Sequence, residues 1–286
     1  MRFKRSIKRV AVAAGRHLSR PDQSARRVVL CYHSIHPGKP YASTTPEAFE
    51  LHLEWLKENT RLTSLRDLVE GKEDAVHGKP AVAITFDDGY EDGHSYALPI
   101  LAKYGAPATF FITAGFVERE PAVLDRFQRL WRCGPGDLDP LDWGQVLELH
   151  SSGMDIGSHS YSHANLADLA PVDVARELRE SRDIIGGRLG EAVDLFAYPF
   201  GKPRVHFTAG TARMVRDAGY GMAAAVSFRG IRSVDSPYRI PRFFADGDEI
   251  FKLEQKTRGA YDLIGWWQEH APVWLMNVVS PDDFRK

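Results

Sequence analysis

The chain has 286 residues, enough for one large domain or two of ordinary size. Its 43% hydrophobic and 26% charged residues are the composition of a soluble globular protein, and a formal net charge of -1 argues against bulk electrostatic attraction to nucleic acid. Two cysteines, Cys31 and Cys133, make no disulfide framework and are expected as reduced thiols.

Residues 1–26 are strongly basic and nearly free of acid. Phe3, Ile7, Val10, Ala14 and Leu18 recur there at helical spacing with Arg and Lys between them. Such a pattern suits a helix lying on an anionic membrane surface, and equally a basic tail. The longest apolar run of the arm, Val10 to Ala14, is too short for a membrane span or a signal-peptide core. The expected location is therefore cytoplasmic, with peripheral contact at the inner membrane face.

Beyond the arm, apolar runs alternate with amphipathic ones. "RVVLCYH" (27–33) reads as a buried strand, and "TPEAFELHLEWLKEN" (45–59) as a helix capped by Thr45. Strand "AVAITFDD", helix "EDGHSYALPILAKYG" and strand "PATFFITAG" follow, with Pro99 breaking the helix only mildly. A stretch from about 116 to 140, rich in Pro, Gly and charge, reads as a loop or lid. Next come helix "DWGQVLELHSSG", strand "MDIGSHS", helix "APVDVARELRESRDIIGGRLG", strand "VDLFAYPFG", helix "AGTARMVRDAGY", strand "GMAAAVSF" and the extended "YRIPRFF". Strand and helix take turns about seven times, which predicts an α/β fold with a parallel sheet under helices, open or closed into a barrel. Either way, ligand chemistry belongs at the carboxyl ends of the strands, where His33, Asp87, Asp88, His159 and Pro199 stand.

Asp87 and Asp88 raise a question, because neighbouring side chains on a strand point to opposite faces. Both can enter one pocket only where the strand stops and the backbone turns, which Gly89 permits. His159 and His163 lie four apart, so one helical turn, or a tight loop, lets both imidazoles hold one metal ion. Two imidazoles and one carboxylate make a three-ligand site with open positions, as in catalytic zinc centres. The second carboxylate is then free to act as a base.

"TFDDGY" and "HSYSH", in this order and about seventy residues apart, resemble the first two motifs of the polysaccharide deacetylases, carbohydrate esterase family four, and "FAYPFG" (196–201) resembles the third. The resemblance covers residues 27–245 and implies a distorted (β/α)7 TIM-like barrel, with Asp87 as catalytic base and Asp88, His159 and His163 holding one divalent ion. Zinc is the leading candidate, with cobalt and nickel as the others. The third motif, Tyr198, Pro199 and Phe200, would line the substrate groove, the Phe200 N–H helping to hold the oxyanion. Many members carry an Arg two residues before that proline, paired with the base, where this chain has Ala197. Arg242 is the candidate replacement. A C-terminal Leu-x-His that protonates the leaving amine is also missing, since "VWLMNVV" offers only Asn277. "VVLCYHSI" instead resembles the opening motif of a circularly permuted branch acting on poly-N-acetylglucosamine, which makes His33 the general acid.

The expected function is metal-dependent removal of acetyl groups from an N-acetylated glycan or lipid-linked saccharide. Tyr90, Tyr161 and Phe200 are candidates for stacking on sugar faces, or equally for core packing. Alternatives are an O-acetyl esterase, a non-haem iron oxygenase built on a facial triad, and an inactive glycan-binding homologue. Residues 246–286 form an extension to which no role attaches.

Overall fold

The structure is a computed structural model that describes residues 25–41, 43–72, 78–134 and 136–272, with Val12 besides. The rest of the predicted basic arm, and Asn277, lie outside the described residues. The strands are β1 (Arg27–Tyr32), β2 (Arg61–Leu62), β3 (Ala81–Phe86), β4 (Ala108–Ile112), β5 (Asp155–Ser158), β6 (Leu195–Ala197), β7 (Met222–Val226) and β8 (Ile240–Phe244). All pair in parallel. Seven of them close a barrel in the order β1, β3, β4, β5, β6, β7, β8 and back to β1. β2 pairs only with Ala81 and Val82, ahead of the point where β4 joins β3 at Ile84. The first strand in the chain thus sits between β3 and the last strand, the arrangement expected of a permuted (β/α)7 barrel.

Near-continuous apolar runs suit strands covered on both faces. On the outward face Val28, Leu30, Tyr32, Val82, Ile84 and Phe86 meet the surrounding helices in the main core. The alternate positions, Val29, Ala81, Ala83, Phe111, Ala197, Ala224 and Ile240, fill the barrel as a separate cluster. Small side chains dominate this interior, and one glycine there is obligatory. A Cβ on Gly157 would lie 2.5 Å from the Phe111 ring and 3.0 Å from the Leu195 Cβ.

Most helices start where polar caps stand. Thr45 accepts the Ala48 N–H at the head of Pro46–Asn59, and Asp142 with Gln145 makes a capping box for Trp143–Ser151. Pro99 disturbs its helix more than expected: Gly93–Ala97 forms a wide π turn, and Pro99 falls in the first turn of a fresh helix, Leu98–Tyr104. There its missing N–H does no harm.

The loop-or-lid reading of 116–140 needs correction. Pro121–Trp131 is a helix capped by the Glu120 carboxylate, and Val123 and Phe127, four residues apart, are buried with Tyr41, Tyr90, Phe116 and Leu138. Charged residues between those two anchors hid the apolar stripe.

Residues 246–272 pack on the same core. Leu253, Ala260, Tyr261 and Ile264, from helices Ile250–Thr257 and Asp262–His270 and the turn between them, join the outer layer. Arg26 forks onto Asp262 at 2.8 and 2.9 Å, tying the entry of β1 to the second of these helices. Among the described residues no helix is long and apolar enough to cross a membrane.

Candidate active site

The pairing of Tyr32 with Phe86 places the next two residues, His33 and Asp87, opposite one another at the barrel's carboxyl rim. Strand alternation sends Asp87 inward with Ala83 and Thr85. Asp88 would point outward if the strand continued, but its backbone turns left-handed (φ 77), followed by Gly89 at φ 94. That turn brings both carboxylates into one pocket, where they are 4% and 2% exposed. Asp tolerates the left-handed region better than most residues, and Gly enters it freely.

His159 follows β5, its N–H donating to the Ile112 carbonyl at 2.8 Å. The path to His163 is a tight loop, not a helical turn, with positive φ at Ser160 and His163. Ser160 Oγ accepts the His163 N–H, and Glu177 accepts both the N–H and the hydroxyl of Ser162 at 2.8 and 2.5 Å. So anchored, His163 Nε2 lies 3.3 Å and His159 Nε2 3.6 Å from Asp88 Oδ1.

These separations test the site for a metal ion. Atoms each about 2.0–2.1 Å from one tetrahedral centre lie about 3.3–3.4 Å apart. His159 Nδ1 donates to the Ala197 carbonyl at 2.8 Å, which leaves Nε2 as the lone-pair nitrogen. Burial pushes His159 down to about 4, against the upward pull of Asp87 and Asp88, so the imidazole is neutral at pH 7. Burial raises Asp88, but His163, by charge and hydrogen bond, brings the carboxyl below its ordinary value. One carboxylate oxygen and two imidazole nitrogens at these separations fit a divalent cation.

Asp87 is held differently. Arg242 is fully buried and meets it as a fork, Nη1 to Oδ1 at 2.6 Å and Nη2 to Oδ2 at 2.8 Å, with Nη1 also reaching Thr85 Oγ1. Burial raises the Asp87 carboxyl, yet the guanidinium and then His159 outweigh it and hold the group well below the usual carboxylate range. The Arg242 guanidinium stands 5.4 Å from the Phe111 ring centroid, in space that the small interior residues leave. Cys31 donates its thiol to Asp87 Oδ2 at 3.4 Å. Cys31, His33 and Asp87 also have donor atoms within one ion's reach. Two features weigh against a second cation there: the Asp87 oxygens already face a guanidinium, and burial keeps the thiol protonated.

His33 stands on the other side. Asp246 accepts the His33 backbone N–H at 3.0 Å, and its Oδ2 lies 2.6 Å from His33 Nδ1. Burial alone would lower the imidazole, but Asp246 lifts it to about 9, with smaller help from Asp88 and Asp87. An imidazolium here has its Nε2 proton turned away from Asp246.

The third motif divides. Phe200, 36% exposed, has its ring 4.7 Å from that of His163, on a left-handed backbone (φ 60). Gly201 follows at φ 66, and a Cβ there would meet Val226 Cγ2 at 2.6 Å. Pro199 is buried in this turn, and Tyr161 is half-buried. Tyr198 is not a groove residue: it is 1% exposed, stacks on Phe207 at 3.7 Å and donates its hydroxyl to the Tyr238 carbonyl. Tyr90 is likewise core, 2% exposed and stacked on Tyr41 at 4.4 Å. Strand alternation turns Tyr198 outward from the barrel, which is why it cannot reach the mouth.

Sequence reasoning assigned no site role to Asp246 and Cys31, which touch His33 and Asp87, or to Thr85 and Ser43, which touch Arg242 and Asp246. Asp246 carried a signal, because it follows an apolar strand just as His33 and Asp87 do.

The chain resembles known proteins in sequence and in fold. Against the Bacillus subtilis protein YxkH it is 27% identical over 203 residues, covering 70% of this chain and 64% of the relative, just under two thirds of its length. Against a poly-β-1,6-N-acetyl-D-glucosamine N-deacetylase of Staphylococcus aureus it is 22% identical over 262 residues, 88% of this chain and 84% of the relative. The solved structure of IcaB from Ammonifex degensii superposes with a TM-score of 0.66 at 24% identity, covering 82% of this chain and 97% of that one. Residues 74–223, just over half of the 286, match the sequence profile described as polysaccharide deacetylase; the chain belongs to that family.

Proposed function

We propose that the protein is a metal-dependent N-deacetylase of polymers or oligomers of N-acetylglucosamine, releasing acetate and a free amine. One observation carries the reading: on adjoining strands, an aspartate kept ionised by Arg242 faces a histidine kept protonated by Asp246, beside three residues whose donor atoms could hold one metal ion.

When bound at Asp88, His159 and His163, a divalent cation supplies a Lewis acid for the acetyl carbonyl and lowers the pKa of water there to about 7. Asp87 takes a proton from the attacking water, whose oxygen adds to the acetyl carbon. The Phe200 N–H would help hold the oxygen that gains charge, the role that the family resemblance implies for it. His33 Nε2 then gives its proton to the sugar nitrogen as the C–N bond breaks. An amide nitrogen leaves poorly without that proton, so a histidine raised to about 9 favours amide over ester substrates. The Staphylococcus aureus relative's name supports the substrate class. A facial-triad oxygenase would give the Arg242–Asp87 and Asp246–His33 pairs no task.

Acetate release from N-acetylglucosamine oligomers by zinc-loaded protein tests the proposal. Asp87→Asn should abolish release while metal content stays at that of the wild type. A wild-type protein that binds zinc and frees no acetate, or an Asp87→Asn variant as active as its parent, would overturn it.

A further inference from the structure

Asp92 lies at the head of the Gly93–Ala97 turn, where an aspartate ordinarily accepts a hydrogen bond from its own helix. It makes no such cap. Its carboxylate instead crosses to the loop after β1, with Oδ2 accepting the Ser34 hydroxyl at 2.5 Å and Oδ1 the Ile35 N–H at 3.0 Å. These two residues directly follow His33. Asp92 itself is five residues beyond Asp87. It is 1% exposed, and among the described residues it has no ion-pair partner. Buried carboxylates without a cation are costly, so this one marks a place where the fold accepts a penalty for geometry. Burial raises it to about 6, against the Ser34 hydroxyl and the Ile35 N–H, which favour the ionised form.

Asp246 holds the His33 ring and backbone from the β8 side and also accepts the Ser43 hydroxyl at 2.6 Å, while Ser43 Oγ lies 3.0 Å from the Ser34 carbonyl. From the β3 side, the corresponding tie is Asp92. We infer that Asp92 is a positioning residue that clasps the loop carrying the general acid to the loop carrying the base, fixing His33 relative to Asp87. The assignment rests on the deacetylase reading above. It adds that proton delivery to the leaving group depends on a carboxylate that touches neither substrate nor metal ligands.

The test separates steps that need the acid from steps that do not. An aryl acetate expels a weakly basic phenolate and needs no proton, whereas an N-acetyl sugar does. Asp92→Ala should lower kcat for N-acetylglucosamine oligomers about 10-fold to 100-fold, the scale of a small misplacement, with KM nearly unchanged. Turnover of 4-nitrophenyl acetate and zinc content should stay at wild-type levels. Asp92→Asn should recover most of the loss, since its oxygen still accepts the Ile35 N–H and its NH2 can donate to Ser34 Oγ. If Asp92→Ala does not fold, Ser34→Ala, which removes only the hydroxyl, should show the same amide-against-ester split to a smaller degree. Parallel loss on both substrates, or no loss in any folded variant, would overturn the assignment. A wild type inactive on the oligomers overturns the deacetylase reading, and this assignment with it, before any variant is made.

Discussion

Arg242 and Asp87 lock as a fork on a carboxylate inside the barrel, both oxygens engaged within 2.8 Å. Removing the guanidinium strands a buried anion, a change that costs about 3–5 kcal/mol when one partner of a buried pair is lost. Arg242→Met should therefore lower the denaturant midpoint markedly. Arg242→Lys keeps the charge but cannot span two oxygens, so it should fold while kcat falls about 10-fold to 100-fold. Since Arg242 is the main influence holding Asp87 low, Arg242→Lys should also move the acid limb of the pH profile upward, measured as kcat/KM against pH.

A second pH limb belongs to His33. Raised to about 9, the imidazole is protonated below that pH and loses its proton above it. Amide deacetylation should therefore hold through neutrality and fall as pH passes about 9. Asp246→Asn removes the main raising influence and leaves burial to act against the smaller pull of Asp88 and Asp87. The alkaline limb should move down in pH, so that activity at pH 8 falls while activity at lower pH is better kept, measured as kcat/KM against pH.

Metal dependence is checked by removal. Treatment with a chelator should abolish acetate release, and added zinc should restore it. Asp88→Ala and His163→Ala should each lower metal bound per chain, read by elemental analysis. Asp87→Asn should not. If the chelated protein keeps full activity, the cluster has no catalytic ion.

Two aromatic residues of the same motif should behave differently. Phe200→Ala removes a half-exposed ring beside His163 and should raise KM for oligosaccharides with kcat little changed, the mark of lost uniform binding. Tyr198→Phe removes a hydroxyl that meets a carbonyl 3.1 Å away in the core, and should cost about 1 kcal/mol of stability with unchanged kinetics.

Much of this was legible before any coordinates. Strand runs rich in Val, Ile, Phe and Ala announce a parallel sheet, which the family resemblance makes a barrel, and the DDG and HSYSH motifs bring their own turns and loops, so their geometry is largely local. Arg242 came from the family resemblance, which puts an Arg partner for the base where Ala197 stands and so called for a replacement elsewhere. Tyr198 and Tyr90 misled for a physical reason: an aromatic beside a catalytic motif looks the same in a sequence whether it faces the mouth or the helices. The helix at Pro121–Trp131 was obscured by the charges on its exposed side. Asp92 and Asp246 act on residues far away in the chain: the pairing of β1 with β3 brings Asp92 to Ser34 and Ile35, and closure of the barrel by β8 brings Asp246 to His33.

That closure has a bearing on synthesis. β1 pairs with β3 along six residues but with β8 along only two, Leu30 with Phe243 and Cys31 with Phe244. The counter-ion of Asp87 stands on β8, and the anchor of His33 comes two residues after it. A ribosome delivers this strand after the other six of the barrel. Until it arrives, His33 lacks Asp246 and Asp87 lacks its guanidinium, so on the proposed mechanism a growing or truncated polypeptide should release no acetate until the chain has come full circle.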